Sequence, residues 1–360
     1  MKRAYLYVIE IIILKKYLMR KHYAFGALFA LILTLSFNLT KAQQDVGGLF
    51  VSGPADATKL INAYFDPLYK GLGVGLSDGW TNTAKSKGFL KFDVRVSATG
   101  AFVPQSARSY DVNTLGLNNI KPAPGASSIG PTAFGNDQEG GRMQVYTSGG
   151  IPTTTFFNLP QGVGFHVVPS AQIQATVGLP KNIDITLRAM PKIKISNDLG
   201  SLSMIGFGAK VELLPLLLGK AEKIIPIDIA IAGGFTQYKY TLPLNVNNTA
   251  NSDQRIDAKF NGVNFDAIVS KKILFFTPFA SVGYQTSKTD LKALGTYSFD
   301  TGNGTSVTYV DPIAVKQTDI DGLRASLGFQ LKFGFFKFYG SYTAAKYSMV
   351  NAGIGLGIGQ

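Results

Sequence analysis

The feature that most constrains the fold is a strict alternation of apolar and polar residues along residues 90–102, which read LKFDVRVSATGAF. Every second residue from Leu90 to Phe102 is apolar or glycine, and most of those between are charged or polar. Neighbouring side chains of a strand point to opposite faces, so this pattern predicts one strand between two different environments. Similar alternation returns in segments 171–179, 183–195, 205–213, 227–231, 263–267, 323–331 and 350–358.

The composition fits a membrane barrel better than a helical membrane protein. Charged residues make up 16% of the 360 residues, below the roughly 25% of a typical soluble domain. A bundle of membrane helices needs several runs of about 20 apolar residues, and no such run follows residue 42. A membrane β-barrel needs none, because its lipid face and its lumen face offset each other in the average.

The same residues argue against several functional classes. The chain has no cysteine and two histidines, which excludes thiolate zinc sites and cysteine nucleophiles. Only His166 lies beyond the N-terminal segment, and it has no evident catalytic partner, so we expect neither an enzyme nor a cofactor nor a metal site. Of the net charge of +13, residues 1–42 carry +6, and the remaining +7 is spread along the chain. Without a basic cluster that includes aromatic residues, we expect no nucleic-acid partner.

Residues 19–42 have the layout of a secretory signal. Arg20 and Lys21 precede an apolar stretch, and Ala42 provides a small residue at the predicted cleavage point. We therefore predict that residues 1–42 are a signal peptide with an upstream extension and are removed, with Met1 or Met19 as the start. The alternative is a single N-terminal membrane anchor. The remaining chain divides into a plug segment, 43–87, and a barrel, 88–360.

A short amphipathic helix is predicted before the first strand. Leu60, Ile61, Tyr64 and Leu68 recur at helical spacing. Asp56 is a candidate for the start of the helix, and Asp66 with Pro67 for a second short turn. The sequence GLGVG at 71–75 predicts a flexible exit from the helix.

The lengths of the connections favour an outer-membrane barrel. Short turns are predicted at 180–182, 270–273 and 334–336, and long polar loops at about 104–140, 242–256 and 289–320. Short turns on one rim and long loops on the other are typical of such barrels. We count at least ten strands. Segments 141–158 and 291–311 could each add a hairpin, so the prediction is an all-β, antiparallel transmembrane β-barrel of 10–14 strands, with a helical plug in its lumen.

We assign the apolar face of these strands to lipid and the charged face to the lumen. The export signal, strand lengths near the 9–11 residues that cross a bilayer, and the need to close every strand edge in lipid all favour this. The alternative is a secreted soluble sandwich or barrel with its aliphatic side chains inside. The predicted lumen charges are Lys91, Asp93, Arg95, Asp184, Arg188, Lys192, Lys194, Lys210, Glu212, Asp228, Asp266, Arg324 and Lys332.

Two interpretations of these charges remain open. They could form a structural network of salt bridges that fills a narrow barrel, or a polar pathway with a modest preference for anions. Barrels of eight strands are filled by side chains, whereas those of 16–18 strands hold an aqueous channel. A barrel of 10–14 strands lies between these limits.

Two stretches resemble a known family. Residues 69–104, YKGLGVGLSDGWTNTAKSKGFLKFDVRVSATGAFVP, and residues 276–297, FTPFASVGYQTSKTDLKALGTY, resemble an uncharacterised family of Bacteroidetes outer-membrane β-barrels. That family is distantly similar to FadL-type transporters of fatty acids and other hydrophobic compounds. The resemblance implies a luminal hatch around residues 60–76 and a location in the outer membrane of a Gram-negative bacterium.

The resemblance also implies a function. We expect a plugged channel for small hydrophobic, fatty-acid-like molecules. No substrate-binding motif of the family is matched, and the pocket is predicted from the helix itself, whose apolar face could border a cavity with Leu60, Ile61, Tyr64 and Leu68. Its partners would be outer-membrane lipid, the barrel-insertion machinery and a small hydrophobic ligand. The alternatives are a structural or surface-adhesion barrel without cargo, and a narrow diffusion porin.

Overall fold

The computed structural model describes residues 53–147, 149–196, 200–244, 253–300 and 306–359. The predicted export signal, and the first part of the predicted plug segment, lie outside these residues. No helix in the described ranges is long and apolar enough to cross a membrane.

The described chain contains two α-helices, seventeen strands and short 3₁₀ turns. The helices are α1, Pro54–Ser77, and α2, Leu214–Leu218. The strands are β1 (Phe92–Phe102), β2 (Ser109–Asp111), β3 (Ile120–Pro122), β4 (Ile129–Pro131), β5 (Arg142–Tyr146), β6 (Pro152–Asn158), β7 (Val167–Leu179), β8 (Ile183–Ser196), β9 (Gly200–Glu212), β10 (Asp228–Pro243), β11 (Arg255–Ser270), β12 (Phe276–Leu294), β13 (Thr296–Asp300), β14 (Ser306–Val310), β15 (Ile313–Phe333), β16 (Phe336–Ala344) and β17 (Met349–Gly357). The 3₁₀ turns are Gln105–Ala107, Val112–Thr114, Pro180–Asn182 and Gly219–Ile224.

Ten strands close into an antiparallel barrel, in the order β1, β17, β16, β15, β12, β11, β10, β9, β8, β7. Strand β1 closes the ring by pairing with β17 on one side and with β7 on the other. The predicted fold class is confirmed at the lower end of its range. Within the described residues, segments 141–158 and 291–311 add no hairpin to the barrel. Strands β5 and β6 pair with β3 in a separate sheet, and β13 pairs only with β14.

Strand β1 has the two faces that the alternation predicts. Asp93 and Arg95 are buried at 3% and 4% exposure, whereas Val94, between them, is 46% exposed. Other strands carry large apolar side chains on the outside, including Phe265 at 66% and Leu323 at 80% exposure. A soluble protein does not present a continuous apolar band of this kind. The apolar face therefore lies towards lipid and the polar face towards the lumen, which rules out the soluble alternative.

The polarity reverses along the longest strands. Near its start, β11 buries Ile256, Ala258 and Phe260 and turns polar residues such as Lys259 outwards, whereas further along it buries polar Asn264, Asp266 and Ser270. Strands β12 and β15 are 19 and 21 residues long, about twice what a tilted strand needs to cross a bilayer. Their surplus length projects into water, where the interior becomes apolar. The loop predicted at 289–320 is therefore largely strand.

A β-bulge corrects the prediction for Lys192 and Lys194. Both are exposed instead of facing the lumen. The register between β8 and β9 shifts between Met190 and Ile193, and one extra residue turns every following side chain to the opposite face. The lysines consequently lie on the outside, and the half-buried Ile193 replaces them on the inner face.

Helix α1 is longer than predicted, because it continues through Pro67 and Gly71 to Ser77. The glycines of the GLGVG sequence are not a flexible exit but places where the helix touches the barrel wall. A Cβ atom on Gly71 would lie 2.5 Å from the Val168 Cβ, and one on Gly75 would lie 2.5 Å from the Ser170 Oγ. Glycine allows the backbone to approach these two wall side chains this closely.

The segment 54–87, which we call the luminal segment, runs through the barrel from one rim to the other. At its start the Asp56 carboxylate accepts hydrogen bonds from the Asn118 and Asn119 backbone N–H groups, at 2.9 and 2.7 Å, in the long connection between β1 and β7. At its end the Lys87 N–H donates to the Asp184 Oδ1 at 2.9 Å, beside the 180–182 turn. The chain thus enters at the long-loop end and leaves at the short-turn end.

This path predicts that α1 begins on the outer surface of the cell, because the long loops of such barrels are extracellular. The chain lacks cysteine. The labelling of a single introduced cysteine therefore shows on which side of the membrane that residue lies. We expect Ala55→Cys to react with a membrane-impermeant maleimide in intact cells, as Gln105→Cys in a long loop does. Lys272→Cys in a short turn should react only after the cells are permeabilised. All three positions are exposed. The opposite labelling pattern would show that the path runs the other way.

Candidate functional site

The last carbonyl groups of α1 are bound by side chains of the barrel wall. The Gln172 Nε2 donates to the Gly75 carbonyl at 3.0 Å, the Thr236 Oγ1 to the Leu76 carbonyl at 3.1 Å, and the Arg324 Nη1 to the Ser77 carbonyl at 2.7 Å. The backbone supplies these three carbonyls with one donor, the Asp78 N–H, which lies 3.2 Å from the Gly75 carbonyl oxygen. The carbonyls form the negative end of the helix dipole. The wall therefore supplies the donors and the positive charge that this helix end needs.

Arg188 is a further wall cation that binds this helix end, and it is fully buried, at 0% exposure. Its guanidinium donates to the Leu76 and Asp78 carbonyls at 2.9 and 2.5 Å. Its Cζ lies 3.8 Å from the centre of the Trp80 ring, in a cation–π contact. Arg188 thus fixes three consecutive parts of the luminal segment: the helix end, the turn after it and the only tryptophan.

Trp80 rests on a surface made by two glycines of neighbouring strands. Gly208 and Gly234 are directly paired between β9 and β10. A Cβ on Gly208 would lie 2.6 Å from the Trp80 Cε3, and one on Gly234 would overlap the indole. The indole therefore fills a flat recess between the wall and the Arg188 guanidinium.

Arg324 binds the luminal segment while it is neutralised by a wall carboxylate. Its Nε and Nη2 donate to the two carboxylate oxygens of Asp266 at 2.8 and 2.5 Å. This bidentate pair is buried, with both side chains 5% exposed or less. The remaining Nη1 is free to hold the Ser77 carbonyl.

Closer to the short-turn end, wall groups bind the chain after Trp80. The Lys210 Nζ donates to the Thr83 and Lys85 carbonyls at 3.0 and 2.7 Å and lies 3.0 Å from the Asp184 Oδ2. The Glu212 Oε2 accepts from the Ser86 N–H at 2.8 Å. Arg95 also donates to the Gly79 carbonyl. We call Arg95, Arg188, Lys210 and Arg324 the luminal clamp, since each donates to a backbone carbonyl of the luminal segment.

The structure brings most of the predicted lumen charges together and leaves others apart. Buried are Asp93, Arg95, Asp184, Arg188, Lys210, Glu212, Asp266 and Arg324; half-buried are Asp228 and Lys332; exposed are Lys91, Lys192 and Lys194. The buried ones form ion pairs or bind the luminal segment, which agrees with a structural network more closely than with an open polar pathway.

The four predicted pocket residues of α1 pack into the protein interior. Leu60, Ile61 and Tyr64 are at most 1% exposed, and Leu68 is half-buried. They belong to or pack against one apolar cluster with wall residues such as Phe260, Leu291 and Ile320. The Tyr64 hydroxyl donates to the Gln161 carbonyl at 2.8 Å. Their part in binding a cargo stays a prediction.

A polar cavity of about 410 Å³ lies beside α1 at the long-loop end. Its lining includes Asp66 and Lys70 of α1, Tyr110 of β2, and Lys346 and Tyr347 of the turn between β16 and β17. The Lys70 Nζ lies 2.5 Å from the Asp66 Oδ2. Burial raises the pKa of the Tyr347 and Tyr110 phenols, and the nearby Asp66 carboxylate raises that of Tyr347 further. Both hydroxyls therefore remain protonated donors at neutral pH.

Sequence reasoning missed several of these groups, for identifiable reasons. Gln172 lay on the predicted inner face but carries no charge, so nothing marked it as a ligand of α1. Gly208 and Gly234 meet only once the register of β9 and β10 is known. Asp66 and Lys70 share one face of α1 at i and i+4 spacing, a signal that was present but is common on ordinary helices.

The recess for Trp80 predicts a specific sensitivity to substitution. Gly208→Ala should displace the indole and destabilise the barrel, because overpacking of a filled site costs about 1–3 kcal/mol. The measurement is the temperature at which the folded form disappears in semi-native electrophoresis. Gly322→Ala is the matched control, since a Cβ at that strand glycine meets nothing within 4 Å. Equal stability of the two variants would contradict the tight recess.

Comparisons with known proteins give matches to solved structures at low sequence identity. No curated protein matches the chain. Among solved structures, the translocator domain of autotransporter NalP from Neisseria meningitidis matches at 12% identity and a TM-score of 0.30, covering 86% of this chain and 99% of that one. Ail, the attachment invasion locus protein of Yersinia pestis, matches at 10% identity and a TM-score of 0.22, covering 75% of this chain and 97% of that one.

The outer membrane transporter YddB from Escherichia coli matches at 10% identity and a TM-score of 0.28, covering 75% of this chain and 41% of that one. All three are likenesses at the level of the barrel, and we draw no functional conclusion from them. Along the sequence itself, the chain matches the family of unknown function DUF6588 over residues 19–358, and it therefore belongs to that family.

Proposed function

We propose that this protein is an outer-membrane barrel that is closed by its own luminal segment and acts by binding molecules at its long-loop end. The observation that carries the proposal is the luminal clamp. Four buried cations of the wall donate to backbone carbonyls of the luminal segment. An open diffusion porin has no need for such an arrangement.

The energetics of the clamp favour a segment that stays in place. Withdrawal of the luminal segment would separate the Arg188 guanidinium from the Leu76 and Asp78 carbonyls. The guanidinium would then keep only the side chains of Gln174 and Thr236, at 3.1 and 3.4 Å. An unsatisfied buried polar group costs about 1–3 kcal/mol, and a charged one costs more. Partial entry of water would offset some of this cost, but several such contacts would have to break together.

The long-loop end has the structure that a binding surface requires. The connection between β1 and β7 contains the short strands β2 to β6 in two small sheets. It is anchored to α1 through Asp56 and through the hydrogen bond from the Ala133 N–H to the Tyr64 carbonyl at 2.8 Å. Loops held on a rigid scaffold are common sites of recognition. This favours a surface-binding role over a purely structural one.

Transport of small hydrophobic molecules is a second candidate, as expected from the resemblance to FadL-type proteins. The observation in its favour is the apolar interior of the long-loop half, where Leu60 and Ile61 face wall residues such as Phe260. Movement of α1 away from this wall would open an apolar path. Transport of this kind requires that movement, whereas binding at the surface does not.

Ion conductance in planar bilayers tests the closed state. We expect the wild-type protein to show no steady conductance, and Arg188→Met to show brief openings, because Arg188 holds the helix end and Trp80 together. Lys192→Met is the matched control, since this exposed lysine lies on the outer face, and it should be as silent as the wild type. Steady, porin-like conductance of the wild-type protein would overturn the proposal.

A disulfide between α1 and the wall separates binding from transport. A Cβ on Gly75 would lie 3.4 Å from the Ser170 Cβ, close to the usual Cβ separation of about 3.5–4.5 Å in disulfides. We expect the double variant Gly75→Cys/Ser170→Cys to cross-link on oxidation. If transport is the function, oxidation should abolish uptake of a fluorescent fatty acid by cells, and reductant should restore it. Uptake that is specific to the protein and indifferent to the cross-link would exclude transport by movement of α1.

A further inference from the structure

We infer that the polar cavity beside α1 is a binding site for a small hydroxylated ring compound that carries one acid group. The inference names a ligand class for the long-loop end and so rests on the proposed function. The volume of the polar cavity, about 410 Å³, falls within the roughly 300–1,000 Å³ that is typical of small-molecule sites.

The strongest indication of a ligand is the Tyr347 hydroxyl. The side chain lines the cavity and is only 2% exposed. Its hydroxyl has no hydrogen-bond partner in the described part of the chain. A buried hydroxyl without a partner is costly. A ligand in the cavity that accepts a hydrogen bond from Tyr347 would remove this cost. The hydroxyl of Tyr110, on the same lining, also lacks a partner.

The balance of donors over acceptors points to an acid group on the ligand. Lys70 and Lys346 bring two ammonium groups to the lining, against the one carboxylate of Asp66. Lys70 is already paired with Asp66 at 2.5 Å, whereas Lys346 is exposed. With the two phenolic donors, the lining favours a ligand with one negative charge and several acceptor oxygens.

The same lining argues for a hydroxylated ring rather than a bare anion. The Asp66 carboxylate accepts hydrogen bonds and repels negative charge, so part of the ligand must donate to it. The side chains of Ser106 and Ser109 add exposed hydroxyls to the lining. A sugar ring presents donors and acceptors around its edge. A fatty acid would leave these polar groups without partners, so this cavity is a different site from the apolar interior around Leu60.

Isothermal titration of the full-length protein in detergent tests the site, with glucuronate, glucose 6-phosphate and glucose as probes. We expect at least one of the two acids to bind, and glucose to bind at least tenfold more weakly. The two acids distinguish a carboxylate from a phosphate as the recognised group. Lys346→Gln should weaken binding of the acid about tenfold or more, and Tyr347→Phe about threefold to tenfold.

A matched pair of tyrosines separates binding from folding. The Tyr69 hydroxyl is also buried without a partner in the described chain, but Tyr69 packs against Phe65 and Phe260, outside the cavity. Tyr69→Phe should leave binding unchanged. Neither Tyr→Phe variant should lower the unfolding temperature, because each removes an unsatisfied hydroxyl.

The possible outcomes are distinct. Absence of binding by both acids, equal binding of glucose and glucuronate, or binding that Lys346→Gln and Tyr347→Phe leave unchanged would each overturn the site. The bilayer measurement is independent of these results. A conducting barrel that still binds glucuronate would remove the closed-barrel proposal and keep the site, whereas a silent barrel without binding would do the reverse.

Discussion

The architecture depends on how a helix end is accommodated inside a membrane-spanning ring. Helix α1 ends inside the lumen, where its last carbonyls lack the full set of hydrogen bonds that a continuing helix would supply. The wall side chains of Gln172, Arg188 and Arg324 donate hydrogen bonds to three consecutive carbonyls at this helix end. Buried cations are costly unless they are paired, and each side offsets the cost of the other. The luminal clamp and the luminal segment thus form one electrostatic unit, in which Arg324 and Lys210 also have the wall carboxylates of Asp266 and Asp184 as partners.

A ring of ten strands leaves little space around a helix, since eight strands already enclose an interior that side chains fill. The chain meets this limit with glycine at the points of contact. Gly71, Gly73 and Gly75 bring α1 against the wall, and Gly208 with Gly234 makes room for Trp80. The fit is close where glycines meet side chains, and a polar cavity remains at the long-loop end, where the wall is shortest. There β16 and β17 are only 9 residues long.

Much of the barrel could be predicted from the sequence, because lipid imposes a simple rule on each strand. The alternation that begins at Phe92 gave the correct inner and outer faces, and the short turns were placed correctly. The rule fails where strands leave the bilayer. Around Ile256 and Ile313 the inner face becomes apolar. The alternation there no longer distinguishes lipid from lumen, so the sequence predicts loops where the structure has long strands. The prediction for Lys192 and Lys194 is wrong for a related reason. The register changes at the bulge before Ile193, and nothing in the local sequence indicates that change. The cavity depends on residues from α1, β2 and the last turn, which only the fold brings together.

Closure of the ring by β1 and β17 has a consequence for assembly. These are the first and the last barrel strands of the chain, so the ring remains a curved open sheet until its C-terminal strand arrives. Once that seam is sealed, α1 could enter the interior only if a free end of the chain were threaded through a narrow tube. Segment 54–87 is therefore expected to be in position before the seam forms. It would then serve as an internal template around which the sheet curls, and its polar contacts would help to select the register at which the two edges meet.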